Sequence, residues 1–288
     1  MLRCLKPALG AALALTLTLG AAQERVLLPS LDMQQTGPVQ LSAYWFALAQ
    51  PNPAPAMVLL HGCGGMADSQ GQLSSRMRDM AARLNALGVA VLVPDSLGPR
   101  GQTELCTQRV GTRAITQTQR RRDALGALQW LAVQPGVDAT RLGLLGWSNG
   151  GSTVLAATNQ RHAEVRASAA QASLAVAFYP GCEAELQRGY ASSAALLLLL
   201  GADDDWTAPG PCVALAQRAP APQPQIEVYA GAYHGFDSTS PVRLRKDVPN
   251  GVHPGAGVHV GTNPQARRAG AQRLEQFVRA QWQLESRS

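Results

Sequence analysis

From residue 55 onward, short apolar runs alternate with longer segments in which apolar residues recur at helical spacing. The runs predicted as strands are 56–60, 89–93, 142–145, 174–179, 194–200 and 226–229, and the segments predicted as helices are 74–87, 113–133, 150–159 and 264–284. Near-continuous apolar strands separated by helices of this length indicate an α/β fold, with a mostly parallel central sheet and helices on both faces. Residues 26–50 precede this alternation, and we expect them to form a leading antiparallel hairpin.

Residues 1–22 have the pattern of a secretory signal peptide. Arg3 and Lys6 precede an apolar stretch that ends in small residues. We expect cleavage after Ala22, which leaves residues 23–288 as a single exported domain, periplasmic or secreted and without stable membrane insertion. The alternative for the leading segment is an uncleaved N-terminal anchor.

The chain carries 25 Lys and Arg residues against 19 Asp and Glu residues, a formal net charge of +6. Because the acidic residues are interspersed among the basic ones, the charge pattern does not indicate a surface that follows phosphates, and we expect no nucleic-acid partner. One local cluster, Arg120, Arg121 and Arg122, lies in a predicted helix and is expected to form a solvated face. No internal apolar run reaches the ~20 residues of a membrane-spanning helix, which excludes a transporter with several spans.

Cys4 leaves with the signal peptide, and four cysteines remain in the predicted mature chain. In an oxidising compartment an even number of cysteines favours disulfides, and four allow three pairings. We prefer the pairs Cys63–Cys106 and Cys182–Cys212, because each would join loops at the same end of the predicted sheet. No C-x-x-C motif or paired-histidine spacing supports a zinc site, so neither a metal nor another cofactor is expected.

The segment Gly146-Trp147-Ser148-Asn149-Gly150 fits the pattern G-x-S-x-G. It follows a predicted strand and opens a predicted helix, as a nucleophile elbow requires. In such a turn the flanking residues must be nearly free of side chains, and Ser148 would be presented at the C-terminal edge of the sheet near a helix N-terminus. The alternative is an ordinary glycine-rich turn before a helix.

A serine hydroxyl needs a base to accept its proton, and His234 is the best-placed histidine. It follows the predicted strand 226–229 and would therefore lie at the same edge of the sheet as Ser148. The other histidines have different expected roles: His61 positions the loop that follows it, His162 is exposed, and His253 and His259 in a glycine-rich loop are candidates for substrate contacts.

The base in turn needs an acid, and three consecutive aspartates follow the predicted strand 194–200. We choose Asp204 as the acid, with Asp205 and then Asp203 as alternatives, and expect the other two to cap or to be solvated. Asp237 is too close in sequence to His234 to reach it from the usual side. The resulting order of serine, aspartate and histidine is that of α/β-hydrolases.

An oxyanion hole is also predicted at this edge of the sheet. One donor is the backbone N–H of Asn149, and the second comes from Cys63 or Gly64 in the early glycine-rich loop. Such donors are typically worth about 2.7–4 kcal/mol each in the transition state. Together with the nucleophile, base and acid, these donors predict acyl-transfer chemistry.

Four segments together resemble the dienelactone hydrolase family, over roughly residues 55–284. They are His61-Gly62-Cys63-Gly64-Gly65, Gly146-Trp147-Ser148-Asn149-Gly150-Gly151, residues 201–206 and Tyr233-His234-Gly235-Phe236. The resemblance implies an α/β-hydrolase domain without a large lid that acts on esters or lactones. It assigns Ser148, Asp204 and His234 to the catalytic triad and places Cys63 and Asn149 around the oxyanion. Family members that open dienelactone itself typically use a cysteine nucleophile in the cytoplasm, whereas this chain has Ser148 and an export signal.

The sequence therefore predicts a serine hydrolase that cleaves a small carboxylic ester, lactone or thioester through an acyl-enzyme intermediate on Ser148. A polymer-directed esterase with the same triad, or a non-catalytic binding member of the fold, are the alternatives, and the oligomeric state is left open. The arginines considered as partners for a substrate carboxylate are Arg100, Arg109, Arg243 and Arg245.

Overall fold

The computed structural model describes residues 23–48 and 52–285, so the predicted signal peptide lies outside the described residues. The strands are β1 (Gln23–Gln34), β2 (Gly37–Phe46), β3 (Ala54–Leu60), β4 (Ala90–Pro94), β5 (Val137–Trp147), β6 (Leu174–Phe178), β7 (Ala195–Gly201), β8 (Gln225–Tyr229), β9 (Arg243–Arg245) and β10 (Val258–Val260). The helices are α1 (Ser75–Ala86), α2 (Gln117–Ala132), α3 (Asn149–Thr158), α4 (Ala163–Arg166), α5 (Glu183–Arg188), α6 (Gly210–Arg218) and α7 (Pro264–Trp282), with a short 3-10 turn at Gly98–Arg100.

Eight strands form one sheet in the order β1-β2-β4-β3-β5-β6-β7-β8. The β1–β2 and β2–β4 pairs are antiparallel, and every pair from β4 to β8 is parallel, which confirms the predicted α/β class and the leading hairpin. The last residues of neighbouring strands are in register, since Leu60 pairs with Gly146 and Gly201 with Tyr229. The loops after these strands therefore meet at one edge of the sheet, where ligands of open α/β sheets bind.

The apolar runs are continuous because both faces of the sheet are covered. All seven residues of β3 are buried, and their side chains alternate between two cores. Val58 and Leu60 belong to the core under α2 and α3, whereas Met57 and Leu59 belong to the core under α1 and α7.

The start of α2 differs from the prediction, which began the helix at residue 113. The helix begins at Gln117, because Thr116 forms a capping box with Gln119. The Thr116 side chain accepts a hydrogen bond from the Thr118 N–H at 3.2 Å, and Gln119 accepts one from the Thr116 N–H at 2.9 Å. These bonds satisfy free donors at the helix end and fix its first turn.

The expectation that the arginine run of α2 is solvated was wrong for two of its three members. Arg120 and Arg121 are buried, and Arg121 pairs with Glu164 at 2.7 Å. The carboxylates of Glu164 and Asp32, which come from distant segments, compensate the charges of Arg121 and Arg122. Arg100 belongs to the same group of ion pairs, since it binds Asp32 and Asp123 at 2.8 Å each and is therefore not free to hold a substrate.

His162, expected to be exposed, is also buried. Its Nε2 lies 3.1 Å from both carboxylate oxygens of Glu185, which belongs to α5. The helices α4, α5 and α6 and the two-stranded sheet of β9 and β10 were not predicted from the sequence, because these elements are short.

Two disulfides join the preferred cysteine pairs, Cys63 to Cys106 and Cys182 to Cys212. In both bridges the Cα atoms are 5.0 Å apart. The first bridge ties the loop after β3 to the loop before α2, and the second ties the start of α5 to α6. Over residues 23–48 and 52–285, no helix combines the length and apolar character that crossing a membrane requires.

Candidate active site

Ser148 lies between β5 and α3, in a backbone conformation that a side chain rarely adopts. Its φ is 53° and its ψ is −117°, so the turn is strained in the way expected of a functional site. The Ser148 N–H donates to the Phe178 carbonyl oxygen at 2.9 Å, and the Ser148 carbonyl oxygen accepts from Ser152 at 2.8 Å. These bonds hold the turn between the sheet and the first turn of α3.

Gly146 and Gly150 are required by the close approach of this turn to its neighbours. A Cβ atom on Gly146 would collide with the carbonyl oxygen of Gly150, and one on Gly150 would collide with the carbonyl oxygen of Leu60. A larger residue at position 146 would push the start of α3 away from β5, and one at position 150 would push α3 away from β3. The geometry is that of the predicted elbow, with the serine raised above the sheet edge.

His234 and Asp204 complete a chain of hydrogen bonds that starts at Ser148. The Ser148 Oγ lies 2.8 Å from His234 Nε2, and His234 Nδ1 lies 2.8 Å from Asp204 Oδ2. Asp204 comes from the loop after β7 and His234 from the loop after β8, and both are buried. The structure thus brings together the three residues that the sequence analysis selected.

The Asp204 carboxylate is held by backbone donors as well as by the histidine. Its Oδ1 accepts from the N–H groups of Trp206 and Thr207 at 2.9 and 2.8 Å. Burial by itself would raise the pKa of Asp204, but the charge of His234 and these hydrogen bonds keep that pKa below its ordinary value. Asp204 is therefore a carboxylate at neutral pH and favours the tautomer of His234 that carries its proton on Nδ1.

Three further side chains that the sequence analysis missed surround the histidine. The Thr207 Oγ1 lies 3.1 Å from His234 Nδ1, 3.0 Å from Asp204 Oδ2 and 3.0 Å from the carbonyl oxygen of Tyr179. The rings of Tyr179 and Trp206 lie against the imidazole, each with its centroid 4.6 Å from that of the histidine. The neighbours of His234 therefore restrict both its position and its rotation.

The other aspartates considered for the acid role contact different groups. Asp205 binds the Nδ1 of His259 at 2.7 Å and its backbone N–H at 2.8 Å, whereas Asp203 is exposed. Asp237 does not bind His234; it accepts from the Trp147 Nε1 at 2.9 Å and from the Tyr179 hydroxyl at 2.6 Å.

The two histidines considered for substrate contacts, His253 and His259, lie in different surroundings. His259 lies in β10 and is held by Asp205, whereas His253 is exposed in the loop before that strand. In the part of the chain that the structure describes, no group of three or more His, Cys, Asp or Glu side chains is placed to hold a metal ion.

The loop after β3 presents two backbone donors. The Gly62 carbonyl oxygen accepts from the His61 Nδ1 at 2.8 Å, and the Cys63 carbonyl oxygen accepts from the Leu105 N–H at 2.7 Å. Because the N–H and C=O of a trans peptide point in opposite directions, these bonds turn the N–H groups of Cys63 and Gly64 away from the body of the protein. Within residues 23–48 and 52–285, no acceptor bonds to these two N–H groups or to that of Asn149.

His61 positions this loop, as predicted. Burial, followed by the nearby charge of Arg120, lowers the pKa of His61 to about 3, so the ring is neutral at physiological pH. Its Nδ1 carries the proton because the carbonyl oxygen of Gly62 can only accept, and its Nε2 accepts from the Ser96 N–H at 3.2 Å.

Arg120 links the two sides of the predicted oxyanion hole. Its guanidinium donates to the His61 carbonyl oxygen at 2.7 Å and to the side-chain oxygen of Asn149. Only 1% of its surface is exposed, and burial lowers its pKa to about 10, which leaves it charged at neutral pH. This role was not predicted from the sequence, since an arginine run carries no local signal of burial.

Ser148 lines two cavities. The first cavity, about 280 Å³, is lined by His234 and by three arginines, Arg76, Arg243 and Arg245. The second cavity, about 470 Å³, is lined by Asn149 and is mostly apolar. Of the arginines considered for a substrate carboxylate, Arg243 and Arg245 line the first cavity, whereas Arg109 is exposed outside both.

A mostly parallel sheet, with a serine at a strand-to-helix turn and an aspartate and a histidine in later loops at the same edge, defines an α/β-hydrolase fold. The family follows from the sequence itself. A model of the dienelactone hydrolase family matches residues 41–280, so the chain belongs to that family, and its resemblance to the family is confirmed. A search of curated proteins found no match.

Solved structures with the same fold include several ester hydrolases. Thermogutta terrifontis esterase 2, phosphorylated by paraoxon, aligns with a TM-score of 0.61 and 15% identity over 93% of this chain and 97% of its own. A dienelactone hydrolase-like promiscuous phosphotriesterase from metagenomic libraries aligns with a TM-score of 0.59 and 18% identity, covering 91% and 99%. An α/β-hydrolase enzyme from a Medee basin deep-sea metagenome aligns with a TM-score of 0.58 and 13% identity, covering 92% and 99%. At these identities the similarity shows a shared fold.

Proposed function

We propose that the protein is a serine hydrolase that cleaves a small carboxylic ester, lactone or thioester through an acyl-enzyme on Ser148. The observation that carries this proposal is the chain of hydrogen bonds from Ser148 through His234 to Asp204, with both links at 2.8 Å. A hydroxyl at hydrogen-bonding distance from an oriented imidazole is the arrangement that activates a serine nucleophile.

Each step of acyl transfer has a group in place. His234 Nε2 accepts the proton of Ser148 as its Oγ attacks the carbonyl carbon, and Asp204 stabilises the imidazolium that forms. The negative charge that develops on the carbonyl oxygen is bound by the N–H groups of Asn149 and Cys63. The tetrahedral intermediate then expels the alkoxide or thiolate, which His234 protonates, and a water molecule activated by His234 hydrolyses the acyl-enzyme.

The related structures support this reaction class without specifying the substrate. The Thermogutta esterase is phosphorylated by paraoxon, and another structure with the same fold is a phosphotriesterase. A serine nucleophile distinguishes this chain from the family members that use a cysteine, and we do not propose dienelactone as its substrate.

We also propose that the enzyme works outside the cytoplasm, in the periplasm or as a secreted protein. Two disulfides within one chain are typical of proteins from oxidising compartments. The proposal also rests on the predicted signal peptide, and N-terminal sequencing of the exported protein tests it directly: a mature chain that still begins at Met1 would contradict cleavage.

Intact-mass analysis after incubation with a fluorophosphonate tests the nucleophile. We expect one adduct on the wild-type protein and none on Ser148→Ala, because only a serine activated by a base reacts at neutral pH. Ser152→Ala is the matched control, since Ser152 lies one helical turn away and lines the second cavity with Ser148. Labelling of Ser148→Ala, or the absence of labelling on the wild type, would contradict the proposed function.

A further inference from the structure

The two cavities border different members of the proposed catalytic site. Ser148, Cys63 and Trp206 line both cavities. His234 lines the first cavity and is not among the residues of the second, whereas Asn149 lines the second cavity and is not among those of the first. His234 thus borders the first cavity alone and Asn149 the second alone, while Cys63, which carries the other proposed oxyanion donor, borders both.

This division determines where each part of an ester must lie. The same histidine that accepts the serine proton must later give it to the leaving group, so the leaving group lies within its reach. The leaving group therefore occupies the first cavity, on the side of His234. The acyl group stays bonded to Ser148, which also borders the second cavity, so with the leaving group in the first cavity the acyl chain extends into the second.

The second cavity has an apolar wall. Its apolar lining residues are Val110, Ile115, Ala184, Ala208, Pro211 and Val252. The charged residues that also border it have partners within the protein. Glu185 is bound to His162 and Asn159, Glu183 accepts from Gln187, and Arg113 donates to the carbonyl oxygen of Gln108. These charged side chains therefore already have hydrogen-bond partners when no substrate is bound.

The rim of the second cavity exposes apolar side chains that the fold holds in place. Val110 is 70% exposed and Val252 is 47% exposed. Asn250 connects the two loops that carry them, since it accepts from the Val110 N–H and donates to the Gln108 carbonyl oxygen, both at 2.9 Å. Exposed apolar side chains grouped at the rim of a cavity mark a binding surface.

We propose that the second cavity is the acyl subsite and that the preferred substrates are esters of an apolar acyl chain of medium length. The inference rests on the proposed function, because it needs Ser148 as the acylated residue. A volume of about 470 Å³ lies in the range of sites for small molecules. The first cavity has a different chemistry, since its arginines and its serines Ser238 and Ser240 suit a polar leaving group and the water of the second step.

Chain-length dependence measures the subsite. Each buried methylene is worth at most about fourfold in kcat/KM, so kcat/KM for p-nitrophenyl hexanoate should exceed that for p-nitrophenyl acetate by ~10-fold or more. The leaving group is the same throughout this series, so the ratio reports only on the acyl side.

Val252→Asp places a charge in the wall of the cavity, and we expect it to lower the hexanoate-to-acetate ratio by ~5-fold or more. Val242→Asp is the matched control, since Val242 is 45% exposed and lines neither cavity. Val110→Asp repeats the test at the other side of the rim, where the greater exposure makes the substitution safe for folding.

A wild-type ratio near one would overturn the acyl-subsite proposal, and so would equal ratios in Val252→Asp, Val110→Asp and Val242→Asp. In those cases, acetate hydrolysis that depends on Ser148 would leave the proposed function standing. Failure of the wild-type protein to hydrolyse any ester or to react with the fluorophosphonate would overturn both.

Discussion

Removing the Cys63–Cys106 disulfide should impair catalysis, whereas removing the Cys182–Cys212 disulfide should not. Cys63 carries a proposed oxyanion donor on its backbone, and its side chain is fixed covalently to the loop before α2. The double substitution Cys63→Ser/Cys106→Ser keeps the backbone N–H but releases this tether. The double substitution Cys182→Ser/Cys212→Ser removes a bridge of similar size away from the oxyanion loop.

The two bridges should contribute about equally to the free energy of unfolding, so a difference in kcat between the two double variants does not come from a difference in stability. Their sequence separations are 43 and 30 residues, so loop-closure entropy assigns about 4 kcal/mol to each. Loss of a whole oxyanion donor costs about 10²–10³ in kcat. Because the hydrogen bonds to His61 and Leu105 still hold the loop, we expect a smaller loss, ~10–100-fold, in Cys63→Ser/Cys106→Ser.

The assay is steady-state hydrolysis of p-nitrophenyl acetate, with urea unfolding of each variant. Acetate is chosen because its acyl group is too short to report on the wall of the second cavity, which Cys182 lines. We expect the kcat of the Cys182→Ser/Cys212→Ser variant to stay within a few-fold of the wild type, although both variants lose stability. If both double variants keep the same kcat, the bridge does not position the oxyanion donor and the reasoning is wrong.

Four further substitutions test the rest of the site. Asp204→Asn should lower kcat by up to ~10⁴-fold, whereas Asp205→Asn should lower kcat by less than ~10-fold because Asp205 contacts His259. Steady-state hydrolysis measures both, and a larger loss in Asp205→Asn would assign the acid role to Asp205. Arg120→Lys keeps the charge but cannot hold both its acceptors, so kcat should fall ~10-fold or more at unchanged KM, and an unchanged kcat would refute its positioning role. Since burial lowers the pKa of His61 from 6.5 to about 3, the contribution of the neutral ring to the free energy of unfolding is present above about pH 6.5 and is lost as the pH falls toward 3. In urea unfolding of His61→Asn, the free energy of unfolding should therefore depend less on pH within that window. An unchanged pH dependence would contradict this role of His61.

The fold and the order of the site residues could be predicted because their signals are local. An apolar run buried on both faces can be recognised without knowing its partners, and the glycines around Ser148 report the tight turn directly. The parallel sheet then places the loop ends at one edge, which brings Ser148, His234 and Asp204 within reach of one another.

The supporting groups could not be predicted because their partners lie far along the chain. Arg120 is 59 residues from His61 and 29 residues from Asn149, and nothing near it in sequence indicates burial. Likewise His162 was expected to be exposed, and only the packing of α5 brings Glu185 against it. Charge runs and lone histidines have the same local sequence whether they are solvated or paired, so tertiary contacts decide between the two.

Residues 204–207 connect the acid end of the hydrogen-bond chain to the wall of the second cavity. Asp204 binds His234, Asp205 accepts the Val252 N–H through its carbonyl oxygen at 2.8 Å, and Trp206 packs on the histidine ring. An acyl chain that presses on this wall therefore acts on the segment that holds His234 as well. We expect lengthening acyl chains to change the rate constant of acylation and not the substrate affinity alone, as single-turnover measurements can separate the two. A dependence on chain length that is confined to substrate affinity would show that the wall and the acid move independently.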